Sequence, residues 1–260
     1  MLKVSVITPS FNQARFITRT LESVHRQQGG FELEHIVIDG GSTDGTADIL
    51  RSWGERIRWI SESDDGQADA LNKGLAMATG DVIGWLNSDD LYEDGCLSAA
   101  VEVFGARPDV QWLYGKVRII DEQDREIRRS VTAYKNSRMR RYSFGRLLRE
   151  NWISQMGVFW RADAGRQVGP FRKDLHWCMD YDYWLRLGQQ WDGHFVDRYL
   201  GAFRWYRSSK SGSGYQRQFA EELGVARAAA GDDHRWDVLM HRLNVAKIVT
   251  AYKMMSWVGA

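Results

Sequence analysis

Over residues 1–90 the chain repeats one pattern: a short apolar run, a polar turn, then a stretch with helical periodicity. Residues 4–7 open it, followed by the loop Pro9-Ser10-Phe11-Asn12 and a segment that places Phe16, Ile17, Leu21 and Val24 on one helical face. A second run, residues 35–38, leads into the turn Asp39-Gly40-Gly41-Ser42-Thr43-Asp44-Gly45-Thr46, which caps a helix over 47–53. A third run at 58–61 precedes a helix over 67–77, and a fourth at 82–86 ends in Asn87-Ser88-Asp89-Asp90. This alternation predicts an α/β fold with a mostly parallel central sheet flanked by helices. Ligands of such sheets sit beyond the carboxyl ends of the strands, so the clusters at Asp39, Asp64-Asp65 and 87–90 are expected to share one rim.

After Tyr114 the rhythm becomes irregular. A hairpin is expected around 121–125, then a basic, aromatic segment over 134–149. Trp177-Cys178 reads as a buried strand, and a helical pattern follows from Asp180 with Tyr183, Trp184 and Leu187 facing inward. A strand over 203–206 leads into the polar loop 208–214, and one helix, or two joined, covers 236–258. The expected division is a first half over 1–115, a second half of the same domain over 116–215, and a C-terminal helical appendage over 216–260.

Thirty-five basic side chains against 34 acidic ones leave a formal charge of +1, which carries no signature of a nucleic-acid binder. The two cysteines, Cys96 and Cys178, are far apart, and none of the six histidines pairs at zinc spacing. That usage fits a reduced, cytoplasmic protein in which both thiols are packing residues. The first residues lack the features of a signal peptide, and no apolar run approaches the ~20 residues that cross a bilayer, so any membrane contact is expected to be peripheral.

Four ordered motifs narrow the reading. They are Val4-Ser5-Val6-Ile7-Thr8-Pro9-Ser10-Phe11-Asn12, the turn beginning Ile38-Asp39, the segment Gly80-Asp81-Val82-Ile83-Gly84-Trp85-Leu86-Asn87-Ser88-Asp89-Asp90, and Met179-Asp180-Tyr181-Asp182-Tyr183-Trp184-Leu185-Arg186-Leu187. In this order, over residues 4–187, they resemble family-2 glycosyltransferases of the GT-A fold. The resemblance implies a GT-A type sheet whose first half binds a nucleoside-diphosphate sugar donor and whose irregular second half meets the acceptor and supplies the base. It also implies inverting transfer to a hydroxyl on a saccharide or lipid-linked saccharide, in polysaccharide, lipopolysaccharide or glycolipid synthesis.

Carried over by position, Asp39 accepts from the nucleobase, with Pro9, Ser10 and Asn12 as the floor beside base and ribose; its competing role is that of a turn former. Asp65, Asn72 and Lys73 approach ribose and phosphates, or else simply cover a helix surface. Asp89 holds a divalent cation, Mn2+ or Mg2+, against the leaving diphosphate, with Ser88 beside it, although the same residues also suit a helix cap. Asn87 stands where the family's metal motif has its first acid, so the charge there is lost and Asn87 is assigned to donor contact. Asp180 is the general base, with helix capping as its alternative. Lys210, in the 208–214 loop, neutralises the diphosphate, or lies in an ordinary solvent loop.

A nicotinamide-dependent oxidoreductase needs a glycine-rich fingerprint where this chain has Thr8-Pro9-Ser10-Phe11-Asn12, and a sugar-phosphate nucleotidyltransferase needs a basic, glycine-rich loop there. A non-catalytic sugar-nucleotide module remains open. The basic aromatic run Arg138-Met139-Arg140-Arg141-Tyr142 and a C-terminal helix with Trp236, Trp257 and basic residues point to the inner face of a membrane. Packing on the protein's own core or a homodimer contact are the competing uses of that helix.

Overall fold

The computed structural model describes residues 1–207 and 215–258, with backbone alone for 215–216 and 249–258. Its elements are, in order, β1 (Leu2–Ser10), α1 (Ile17–His25), β2 (Phe31–Asp39), α2 (Thr46–Trp53), β3 (Arg58–Ser61), α3 (Gln67–Met77), β4 (Val82–Trp85), β5 (Leu91–Tyr92) and α4 (Cys96–Ala106). Then come β6 (Trp112–Ile120), β7 (Glu126–Ile127), α5 (Arg129–Met139), α6 (Phe144–Arg149), β8 (Val158–Arg161), α7 (Ala162–Val168) and α8 (Met179–Gly188). The chain ends with β9 (His194–Arg204), α9 (Tyr215–Ala230) and α10 (Arg235–Val258).

The strands form one sheet in the order β3-β2-β1-β4-β8-β6-β9-β5, with β7 paired to β6. β1 to β4 are parallel, and β6 and β9 run in the same direction; β8 is antiparallel to both β4 and β6. The central strands β1 and β4 are buried over most of their length, as parallel strands covered by helices on both faces require. Gly74 lets α3 lie close on this sheet, since a Cβ there would strike Ile7. That close approach brings the start of α3 to the end of β4.

The second half is built around aromatic side chains. Trp112 stacks on Trp184 with centroids 6.3 Å apart, Phe171 stacks on Tyr183 at 4.1 Å, and Trp152 and Trp160 are buried in the same core. Most of the tryptophans thus serve packing. α9 adds Val225, Ala226 and Ala230 to this core, while α10 docks on α6 through Asp237 on Arg149 (2.5 Å) and buried His241 on the Leu148 carbonyl (2.9 Å).

Two sequence expectations need correction. Trp177-Cys178 is not a strand but part of the turn before α8, because the backbone N–H groups of 176–178 donate to the Glu221 carboxylate rather than to a neighbouring strand. The strand expected over 203–206 is longer and earlier, since β9 pairs with β6 from Leu113 to Ile120, with irregularities around Lys116. The 138–142 run is partly engaged within the fold: Tyr142 packs against Trp112, Tyr114 and Trp152, Arg138 pairs with Glu150 and Arg140 with Asp197, while Arg140 and Arg141 stay exposed.

The contact between α9 and α8 buries Glu222, which accepts from Asn151 (3.2 Å) and Gln218 (3.0 Å). Asp180, Cys178, Tyr181 and Lys135 are the titratable groups around it. Burial, and then the charge of Asp180, push its carboxyl up to about 7 from 4.5. The unfolded chain therefore releases a proton that the native state keeps, so stability falls as pH rises through that window and the penalty is complete above it. Glu222→Gln, which retains the accepting oxygen, should match the wild type near about pH 4 and exceed it by up to roughly 3 kcal/mol at about pH 8. Urea unfolding at the two pH values checks this; the same stability difference at both would contradict it.

Candidate functional site

The rim of β1 and β2 is made by two loops that hold each other. Asn12 takes a left-handed φ of 52°, which asparagine tolerates, and its Oδ1 accepts from the Thr43 amide (2.9 Å) while its own amide donates to Ser42 Oγ (2.7 Å). The Gln13 amide donates to Thr46 Oγ1 (3.0 Å) and the Ala14 amide to Asp44 Oδ2 (2.9 Å). Asp39 ends β2 fully buried, its carboxylate accepting from the Ser42 amide (2.9 Å), Ser42 Oγ (2.5 Å) and Ser61 Oγ (2.6 Å). Pro9 and Ser10 are buried beside it, and Ser10 Oγ has no partner among the described residues.

The acidic turn after β4 is the most heavily braced part of the rim. Asn87 Oδ1 accepts from Gln67 Nε2 and Trp85 Nε1, each at 2.8 Å, and its amide donates to Asp90 Oδ2 at 3.2 Å. Thr20 Oγ1 of α1 lies 2.9 Å from the Ser88 carbonyl and 2.8 Å from that of Asp90. Arg204, fully buried at the end of β9, donates through Nε to the Asp89 carbonyl (2.7 Å) and through its backbone amide to Asp90 Oδ1 (2.8 Å). Its guanidinium also reaches the Asp121 carbonyl (2.9 Å) and pairs with Asp124, while Nη2 is buried with no partner among the described residues. The Tyr206 hydroxyl donates to Asp89 Oδ2 at 2.8 Å.

Burial raises the pKa of Asp89, against the hydrogen bond from Tyr206 and the charge of Arg204. Asp90 is pushed further up, by its complete burial and then by the charge of Asp89. Two adjacent carboxylates are thus held where ionising both is unfavourable without added positive charge. Asp90 has both oxygens committed to protein donors, which leaves Asp89 as the carboxylate able to take a cation. Among the described residues no three His, Cys, Asp or Glu side chains converge as a metal centre.

α3 connects this rim to the second half. Asn72 uses both ends of its amide on the Phe171 backbone (2.8 and 2.9 Å), and Lys73 pairs with Glu62 (2.7 Å) and Asp69 (3.4 Å). Asp65 pairs with Lys173 at 3.1 Å. Asn72 and Asp65 thus brace the segment leading to α8, while Lys73 ties α3 to Glu62. Asp180 is the second residue of α8, half-buried, with Oδ1 accepting from the Tyr181 amide at 2.8 Å. Lys135 of α5 faces it and donates to Ser154 Oγ (3.1 Å), and the next residue, Gln155, donates to the Trp85 carbonyl at the end of β4. A chain of contacts thus runs from the surroundings of Asp180 to the acidic turn.

Beside Tyr206 a groove of about 620 Å³ opens between Trp205 and Arg207 on one side and the hairpin residues Glu122, Gln123 and Ile127 on the other. Arg204, Tyr206, Thr20 and Gln67 went unnoticed in the sequence. An arginine ending an apolar strand is the only local signal for any of them, and it says nothing of burial. Lys210 lies outside the described residues.

Comparison with known proteins agrees with this geometry. The family described as Glycosyl transferase family 2 matches residues 5–162. A mycobacterial protein named PGL/p-HBAD biosynthesis glycosyltransferase, from Mycobacterium bovis, is 31% identical over 188 residues, covering 70% of this chain and 68% of its own. An uncharacterised glycosyltransferase of Nostoc sp. is 35% identical over 135 residues, or 50% of this chain, which spans 41% of that protein's length. Among solved structures, Staphylococcus aureus TarS 1–349 with UDP-GlcNAc superposes with a TM-score of 0.71 at 16% identity, over 92% of this chain and 70% of that one. The Pyrobaculum calidifontis mannosyltransferase PcManGT with GDP-Man and Mn2+ does so at 0.66 and 18% identity, over 98% and 80%. These two show the same fold, a mixed sheet flanked by helices of the GT-A type. The strand-end rim, the acidic turn after β4 and the match over 5–162 agree: the chain belongs to glycosyl transferase family 2.

Proposed function

We propose that this glycosyltransferase moves a sugar from a nucleoside-diphosphate sugar to a hydroxyl acceptor with inversion, with Asp89 as the cation ligand and Asp180 as the general base. The observation that carries the reading is the acidic turn at the end of the central strand β4, where half-buried Asp89 keeps an accessible carboxylate beside fully buried Asp90, whose oxygens are taken by Arg204 and Asn87. Hard divalent cations take oxygen ligands and keep several positions for water and substrate phosphate, so a single carboxylate suits Mn2+ or Mg2+ arriving with a nucleotide. When bound, such a cation offsets the charge that gathers on the leaving diphosphate. The unpartnered Arg204 Nη2 and Ser10 Oγ are donors left for the ligand on the same rim.

Asp39 meets a nucleobase donor in this reading through Oδ1, which takes one bond from Ser42 and has acceptor capacity left, and Asn12 keeps the loop in register. Asn72 and Lys73 reach ribose or phosphate by exchanging their present partners, as does Asp65. Asn87 and Ser88 shape the donor pocket from beneath. The mycobacterial relative's name favours a glycolipid or lipid-linked acceptor. Trp236, Leu239 and Leu243 line the exposed face of α10 beside Arg235 and Arg242, which suits peripheral contact with an anionic membrane face. Among the described residues no helix is long and apolar enough to cross a membrane.

Asp89→Ala should lower nucleoside-diphosphate affinity at least about tenfold in the presence of manganese and leave the manganese-free affinity unchanged, because the main chain of the turn keeps its bonds to Arg204 and Thr20. Titration calorimetry with and without the metal decides it, and equal affinities in manganese would remove Asp89 from the cation.

Asp180→Asn keeps the shape of the side chain and its bond to the Tyr181 amide, so donor affinity and melting temperature should stay near wild type while turnover falls roughly 10²- to 10⁴-fold. The wild-type product should carry the inverted anomeric configuration, since one carboxylate suffices for single displacement. Turnover near wild type, or a retained configuration by NMR, would show the base to lie elsewhere.

A further inference from the structure

The turn that launches α8 has no cap of its own. Cys178, the residue before the helix, makes no side-chain capping bond. Instead the amides of His176, Trp177 and Cys178 converge on one carboxylate, that of Glu221 on α9, at 2.9, 2.6 and 2.8 Å. An anion at a helix start is favoured by the helix dipole, and a carboxylate taking three N–H donors fixes their directions. Burial opposes its ionisation, yet those three amides hold the Glu221 carboxyl below its usual value.

Asp180 follows Cys178 by two residues, and its carboxylate is oriented by the next amide along. Its location is therefore set by the turn, and the turn by Glu221. Glu222, the next residue on α9, and Lys135 of α5 are near enough to Asp180 for the charges to act on one another. We infer that Glu221 is a positioning residue for the general base and that α9 is thereby part of the catalytic apparatus; this rests on the reading of Asp180 as the base. Reaction geometry is sensitive at this scale, since a displacement of about 1 Å can cost roughly 10²-fold in rate.

The test uses the full chain, the UDP- or GDP-sugar that the wild type hydrolyses fastest, and water as acceptor, with turnover expressed per nucleotide-binding molecule. Glu221→Gln, which offers one good acceptor in place of two, should lower kcat roughly 10- to 100-fold with donor KM within about twofold of wild type. Added to Asp180→Asn it should lower kcat no further, because it acts only through that carboxylate. A purely structural cap predicts a lower melting temperature with wild-type kcat per folded molecule, and that result would overturn the inference, as would full additivity in the double variant. Should Glu221→Gln not fold, Glu221→Asp keeps the charge but cannot reach all three amides, and wild-type kcat in it would overturn the inference equally. If Asp180→Asn alone turns over normally, it is the base assignment that fails; if only Glu221→Gln does, the base stands and the positioning role falls.

Discussion

The guanidinium of Arg204 is fully buried, and a buried cation is tolerated only where several acceptors surround it. Here they come from three separate parts of the chain: the Asp89 carbonyl after β4, and the Asp121 carbonyl and Asp124 carboxylate of the β6–β7 hairpin, with the Phe16 ring of the β1–α1 connection stacked at 4.9 Å. The backbone amide of the same residue donates to Asp90. The acidic turn is thus fixed from the far side of the sheet, by a strand more than a hundred residues later in sequence. Without that anchor two adjacent carboxylates facing a desolvated rim would repel each other and the turn would open.

The same logic extends outward. Few of the polar groups expected to meet a ligand lack a partner within the chain: Asp39 is engaged by Ser42 and Ser61, Asn72 by Phe171, and Asn87 by Gln67, Trp85 and Asp90. Buried polar atoms need partners, and most of those on this rim find them within the chain. Ser10 Oγ and Arg204 Nη2 are exceptions among the described residues, and both lie beside the proposed donor site.

The first half of the fold was legible because its signals are local. Each of β1 to β4 contains a short apolar stretch followed by a polar turn, and the helices between them carry their own periodicity, so the order of elements followed directly. The second half was not, because β6, β8 and β9 are specified by pairing with each other across long separations and by aromatic packing of Trp112, Trp160 and Trp184. The same reason hid Arg204 and Glu221, whose partners lie 115 and 43–45 residues away. Trp177-Cys178 looked like a strand because both side chains are hydrophobic, whereas its backbone is claimed by a carboxylate that no local pattern announces.

The central claim is that the braced turn at Asp89 and Asp90 receives a nucleoside diphosphate together with a divalent cation. The melting temperature of the wild-type protein, measured with UDP, GDP, ADP, CDP and TDP in turn, with and without manganese, addresses it directly. Ligands that bind only the native state raise that temperature. At least one diphosphate should raise it with manganese present and much less without; no shift with any diphosphate, or shifts indifferent to the metal, would contradict the account.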